Sequence, residues 1–240
     1  MTPWALLGSG EFEPWSVDAD RFVLERATGD GRVVIVPTAS AHEGHEVFDG
    51  WGRRGLDHFA ELGVEAEVLP VRTRADADRG DLADRLVDAS LIYVSGGNPA
   101  RLAETLRGTA VYAAMLEGLE RGMGYAGCSA GVTCLAETTF DSDTEDIDAI
   151  FRPGLGLVRA TMFGPHWDIV ETWVPGATEV IVASVPEGHV FVGIDEETAM
   201  LGDGSAWRVC GRGSVHVRRD GVFERFGPGE AFRLAFPLSP

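Results

Sequence analysis

The chain has 240 residues, 45% hydrophobic and 24% charged, enough to bury a sizeable core in one α/β domain or two small ones. Its formal net charge of −18 is spread along the sequence, a field that repels a phosphate backbone and disfavours nucleic acid as a partner. No apolar run approaches the ~20 residues that span a bilayer, residues 1–10 lack the pattern of a signal peptide, and the odd set Cys128, Cys134 and Cys210 has neither disulfide nor zinc spacing; the expectation is a cytoplasmic protein with no membrane partner and no metal.

In chain order, Trp4 to Leu7 reads as a short apolar strand leaving through GSGEF, followed by a helix from Ser16, a hydroxyl cap, to about Thr28. Arg32 to Val36 is a second strand, apolar throughout as befits a parallel strand covered on both faces, and it ends in PTAS. A glycine-rich helix spans His45 to Leu62, a third strand Val64 to Val71, a short helix Asp81 to Val87, and a fourth strand Leu91 to Val94 leads into SGGNPARL. Thr109 caps a helix with Val111, Met115, Leu116 and Leu119 at helical spacing, which runs into YAGCSAGV. Alternation of this kind predicts an α/β fold with a doubly wound, mostly parallel sheet and helices on both faces, whose ligands lie beyond the carboxyl ends of its strands. GSGEF, PTAS, SGGN and GCSAG all fall at such ends. Beyond the acidic stretch Asp141 to Asp148, GLGLVRATMFGPHWD reads as a strand entering a turn at Gly164 and Pro165. From Glu179 onward VIVASV, VFVGI, SAWRVC, SVHVRR, VFERF and AFRLAF read as extra antiparallel C-terminal strands. With no repeat and no long linker, 1–240 is expected to be a single domain.

Gly127, Cys128, Ser129, Ala130 and Gly131 spell G-x-S-x-G, a strand-to-helix turn that lifts a serine oxygen clear of a sheet and sets it where backbone N–H groups favour developing negative charge. The other reading of these five residues is a glycine-lined turn whose serine only caps a helix. A serine hydroxyl needs a base within hydrogen-bond reach, and among six histidines His166, in GPHW beside a strand end, is the candidate; His189 and His216 lie in β runs and His58 in a packed helix. His42 and His45 in AHEGHE could touch a metal, but no third ligand accompanies them. Cys128 precedes the apex and should point into the sheet, so register selects Ser129. There is no lysine or glutamine, and Asn98 is the sole asparagine, beside Gly96 and Gly97, which allow close backbone approach. Glu11 could meet a substrate amine, and Arg159 a substrate carboxylate, while Arg101 reads as a helix residue paired with a surface acid.

GSGEF, PTAS, SGGNPARL, GCSAG, GLGLV, PHW and GIDEETA, in that order, make the chain resemble peptidase family S51, which includes aspartyl dipeptidase (dipeptidase E) and cyanophycinase and has a fold similar to class I glutamine amidotransferases. The resemblance implies a flavodoxin-like, amidotransferase-like sheet, Ser129 as nucleophile, His166 as base, Gly97 and Ala130 N–H as the oxyanion hole, and Asn98 near the substrate backbone. It places the acid that orients His166 between serine and histidine in chain order, where the spacing falls on Asp141 first, then Asp143 and Glu145. WDIVETW follows His166 where cyanophycinase carries arginines, so the dipeptidase-like branch is expected. The expected function is a cofactor-free serine-type peptidase cleaving a small peptide or isopeptide, aspartyl dipeptides included, through an acyl-enzyme, with a homodimer left open. The rival is a non-catalytic binding or scaffold member of the same fold.

Overall fold

The computed structural model describes residues 2–144 and 150–238. Its strands are β1 (Trp4–Leu7), β2 (Val33–Val36), β3 (Ala66–Val68), β4 (Leu91–Val94), β5 (Gly124–Cys128), β6 (Thr138–Phe140), β7 (Phe151–Pro153), β8 (Thr161–Pro165), β9 (Val190–Ile194), β10 (Thr198–Gly202), β11 (Ala206–Gly211), β12 (Val215–Arg219), β13 (Val222–Phe226) and β14 (Ala231–Arg233). The α-helices are α1 (Val17–Leu24), α2 (His45–Glu61), α3 (Arg74–Ala77), α4 (Gly80–Ala83), α5 (Pro99–Leu106), α6 (Ala110–Arg121), α7 (Ala130–Thr133), α8 (Val170–Trp173) and α9 (Ala177–Ala183). None of the described helices is long and apolar enough to cross a membrane.

An eight-stranded sheet runs in the order β14-β11-β10-β1-β5-β4-β2-β3. Its β1-β5-β4-β2-β3 portion is parallel, and β10, β11 and β14 extend it antiparallel beyond β1. Strand side chains alternate between two apolar layers. Trp4, Leu6, Val34, Val36, Ile92 and Val94 join Leu102, Val111 and Met115 of α5 and α6 on one face. Ala5, Leu7, Val33, Ile35, Leu91 and Tyr93 join Ala19, Val23 and Phe59 of α1 and α2 on the other. Burial on both faces is what the unbroken apolar runs of β1, β2 and β4 demanded. A second sheet, β13-β12-β9-β8, shares the first layer through Phe163, Val192, Val215 and Val217.

Several local expectations are corrected. Ser16 does not cap α1: its Oγ donates to Asp20 Oδ2 at 3.2 Å and Glu13 O at 3.0 Å, bonds that tie it to a buried acid instead. The third strand is only Ala66–Val68, because as the sheet's edge it has one neighbour, β2, to pair with. The sequence from Val180 is helical, not extended: Gly176 turns the chain at φ 84, and the Glu171 carboxylate accepts from Gly176 N and Thr178 N at 2.6 and 3.1 Å, satisfying the first donors of α9. Gly164 and Pro165 continue β8, so the turn begins at His166. The strand at Thr198–Gly202 lacks alternation because it is buried throughout, between β1 and β11.

Candidate active site

β5 ends in Cys128 and α7 begins at Ala130, leaving Ser129 alone to reverse the chain, at φ 49 and ψ −102. Such a backbone state persists only where surroundings over-determine it. Here both flanking glycines are required. A Cβ on Gly127 would stand 2.5 Å from Gly131 O, and one on Gly131 would stand 2.3 Å from Val94 O. Ser129 N donates to Leu7 O at 3.0 Å, tying the elbow to the end of β1. Cys128 lies in the apolar layer beneath the sheet, wholly buried; burial first, and the nearby Glu11 carboxylate second, push its thiol well above the ordinary range. Cys128→Ala is accordingly expected to cost about 1 kcal/mol of stability and to leave turnover largely intact, read by thermal melting alongside steady-state kinetics.

The loops after β1, β2 and β4 lock against this elbow. Gly97 has φ +136, and a Cβ there would meet Ala39 C and O at 2.5 and 2.6 Å. Gly96 N donates to Glu11 Oε1 at 2.7 Å, and Asn98 N to Ala39 O at 2.9 Å. Glu11 is buried, 6% exposed.

His166 follows β8 with φ 54, a second non-glycine residue in the left-handed region. Its Nε2 lies 2.9 Å from Ser129 Oγ and its Nδ1 2.9 Å from Glu196 Oε1. Trp173 packs on the imidazole, ring centroids 5.0 Å apart. Glu196 sits in the turn from β9 to β10, and this turn is held at each residue. Glu196 N donates to Asp168 Oδ1 at 2.8 Å, Glu196 O accepts from Thr198 Oγ1 at 2.9 Å, and Glu197 N donates to Ser9 Oγ at 3.1 Å. With the proton on Nδ1, the ring donates to the carboxylate and turns its lone pair toward the serine, the arrangement that general-base activation requires.

The acid beside His166 is therefore Glu196, and neither Asp141 nor Asp143 approaches the ring. Both instead accept from Asn98 Nδ2, at 2.6 and 2.7 Å, and Asp143 Oδ2 is 3.0 Å from His42 Nε2. The Asn98 bond is the main reason the Asp141 carboxyl is held below its usual range. Glu145, with Asp146 and Asp148, lies outside the described residues. Chain order misled here, because β9 pairs parallel to β8 in the register Pro165↔Ile194, so the residues just past the two strand ends, His166 and Glu196, meet although 30 positions separate them. GIDEETA contains this residue, but nothing in its sequence distinguishes Glu196 from Asp195 or Glu197. Asp195 in fact turns away, to Ser214 N at 2.8 Å and His216 Nε2 at 3.0 Å.

Asn98 is placed by the structure as a joint. Its Oδ1 accepts from Ala100 N and Arg101 N at 3.0 and 3.1 Å, capping α5, while Nδ2 holds the two aspartates. With the amide fully engaged, contact with a substrate backbone is not available to it in this state. Asn98→Ala is expected to cost about 2 kcal/mol, or roughly 4–8 °C in Tm, through the lost cap and the stranded carboxylates. Asn98→Asp should destabilise further near neutral pH, by grouping three carboxylates, and recover as pH falls and they protonate; melting curves at several pH values measure both. Arg159 does not join the site: it lies at the far end of β8 from His166, roughly 15 Å of strand away, with Nε 3.7 Å from Glu137 Oε1. Among the described residues no cluster of metal-ligating side chains occurs.

The profile of peptidase family S51 matches residues 4–210. Cyanophycinase of Synechococcus elongatus is 30% identical over 204 residues, which cover 80% of this chain and 60% of that protein. Peptidase E of Streptomyces coelicolor is 30% identical over 151 residues, 60% of this chain and 56% of that one. The chain thus spans less than two thirds of the length of these relatives. Among solved structures, a peptidase from an acI-B1 Actinobacterium superposes with a TM-score of 0.89 at 28% identity, covering 98% of this chain and 97% of the other. A putative peptidase E from Listeria monocytogenes EGD-e shares the fold with a TM-score of 0.64 at 23% identity, over 88% and 98% of the two chains.

Proposed function

Because this chain belongs to peptidase family S51, we propose that it is a serine-type peptidase that cleaves a small peptide or isopeptide, with Ser129 as nucleophile, His166 as base and Glu196 as the acid orienting it. The observation that carries this is the continuous pair of 2.9 Å contacts from Ser129 Oγ through the imidazole to Glu196, ending on a strained elbow. His166 Nε2 takes the serine proton as Oγ attacks the carbonyl carbon. The tetrahedral oxyanion is received by the N–H groups of Gly97 and Ala130, and the Glu196 carboxylate stabilises the imidazolium through Nδ1–H. His166 then protonates the leaving amine, releasing it and leaving an acyl-enzyme. A water deprotonated by the same nitrogen hydrolyses the ester and restores Ser129.

A small substrate of the dipeptide kind is favoured by the chain that follows His166: Asp168 is engaged with Glu196 N and Trp173 covers the imidazole, and no arginine lies between His166 and Pro175. Cys128, Cys134 and Cys210 are all free thiols, which supports a reducing, cytoplasmic compartment. A fluorophosphonate probe read by intact mass tests the proposal. One adduct, mapped to Ser129, is expected, together with turnover on a panel of α- and β-aspartyl dipeptides. A folded protein that takes no adduct and turns over no member of the panel is a non-catalytic scaffold.

A further inference from the structure

The turn leaving β1 is held at a backbone cost that the apolar layers alone do not explain. Gly10 has φ 70, and a Cβ there would stand 2.6 Å from Trp15 Nε1. Phe12, two residues on, has φ 63, a left-handed state unfavourable for a non-glycine residue. The Phe12 ring anchors this turn among Tyr93, His58 and Phe59, with centroids at 4.6, 5.8 and 6.2 Å. Between the two left-handed residues stands Glu11, whose buried carboxylate is thereby driven inward to Gly96 N at 2.7 Å. A Cβ on Gly96 would lie 3.2 Å from that same oxygen and 3.7 Å from Ser129 Cβ, so the contact is made beside the nucleophile.

Gly96 and Gly97 form the most pliable dipeptide a chain can contain. Its peptide planes are nevertheless fixed on either side. The plane carrying Gly96 N–H is pinned by Glu11, and the plane carrying Asn98 N–H is pinned by Ala39 O at 2.9 Å. The plane between them carries Gly97 N–H. We infer that Glu11 is a positioning residue for the Gly97 N–H of the oxyanion hole, acting through Gly96, and is not the site of a substrate ammonium group. This inference rests on the peptidase assignment above.

The choice of glutamate follows from reach: it is the longer of the two carboxylate side chains, and a carbonyl oxygen held at the same distance can accept the same N–H. Its charge alone would oppose an oxyanion, so its use here is geometric.

Glu11→Gln keeps an acceptor at the same reach and discards the charge; Glu11→Asp keeps the charge and withdraws the oxygen by one methylene. Each is assayed against wild type on an aspartyl dipeptide and on p-nitrophenyl acetate, an ester without an ammonium group, after circular dichroism establishes that both are folded. The Gln variant is expected to retain kcat within about threefold on both substrates. The Asp variant is expected to lose on the order of tenfold to a hundredfold in kcat on both with KM unchanged, and to label more slowly with the fluorophosphonate, whose reaction builds the same kind of charge. The reverse ordering, equal rates in the two variants, or a Gln effect confined to KM of the dipeptide with the ester untouched would each overturn the inference. Failure of wild-type Ser129 to label would instead overturn the peptidase assignment, so the two are separable.

Discussion

Ser129→Ala is expected to lower turnover by on the order of 10⁶, leaving only the residual acceleration that binding and backbone donors supply. Removing Oγ deletes the attacking atom and takes from His166 Nε2 its 2.9 Å partner. Stability should change little, because the elbow is held by the close packing of Gly127 and Gly131 and by Ser129 N on Leu7 O, none of which involves the hydroxyl. A variant that melts like wild type yet shows neither burst nor adduct matches the expectation. A Ser129→Ala protein with appreciable peptide hydrolysis would show that another group attacks. Cys128 is poorly suited to do so, buried and with its thiol pushed far from ionisation.

Glu196→Gln is the second large effect, a fall on the order of 10⁴ in kcat. The amide can donate to Nδ1 where the carboxylate only accepted, which favours the tautomer whose proton lies on Nε2 and faces the serine. The imidazolium formed on attack also loses its counter-charge. Asp141→Asn and Asp143→Asn, whose carboxylates rest on Asn98, should leave kcat within a few-fold, since they touch the joint at α5 and not the histidine. Steady-state rates on one dipeptide across the three variants decide the matter: a fall confined to Asp141→Asn would return the orienting role to the acidic stretch.

The parallel sheet could be read from the chain because each strand end carries its own signature. Apolar runs such as Val33–Val36 and Leu91–Val94 need covering on both faces, and Gly8, Gly97, Gly127 and Gly131 sit where backbone passes close to backbone. The serine–histidine pair was legible for the same reason, since a G-x-S-x-G apex is a geometric device and a base must reach it. Glu196 was not, because its place depends on the lateral register of β8 and β9, a long-range pairing that no local pattern records. Asn98, Asp141 and Asp143 mattered for a different cause than chemistry suggested: a lone asparagine among glycines marks a helix cap as readily as a ligand contact. The run from Val180, rich in β-branched residues, is helical where a carboxylate remote from it in the pattern, Glu171, holds Gly176 N and Thr178 N at the start of α9.

The two sheets divide the site unevenly. Ser129 hangs from the large sheet through β5, whereas His166 hangs from the small one through β8, beside the end of its partner strand β9, where Trp167 N continues the ladder onto Ile194 O at 3.1 Å. Glu196 stands where the chain crosses from the small sheet to the large one, between Ile194 of β9 and Thr198 of β10, with Glu197 N bound to Ser9 Oγ just after β1. The Ser129–His166 contact bridges the two sheets, so a shift of one against the other changes that 2.9 Å distance before any strand melts.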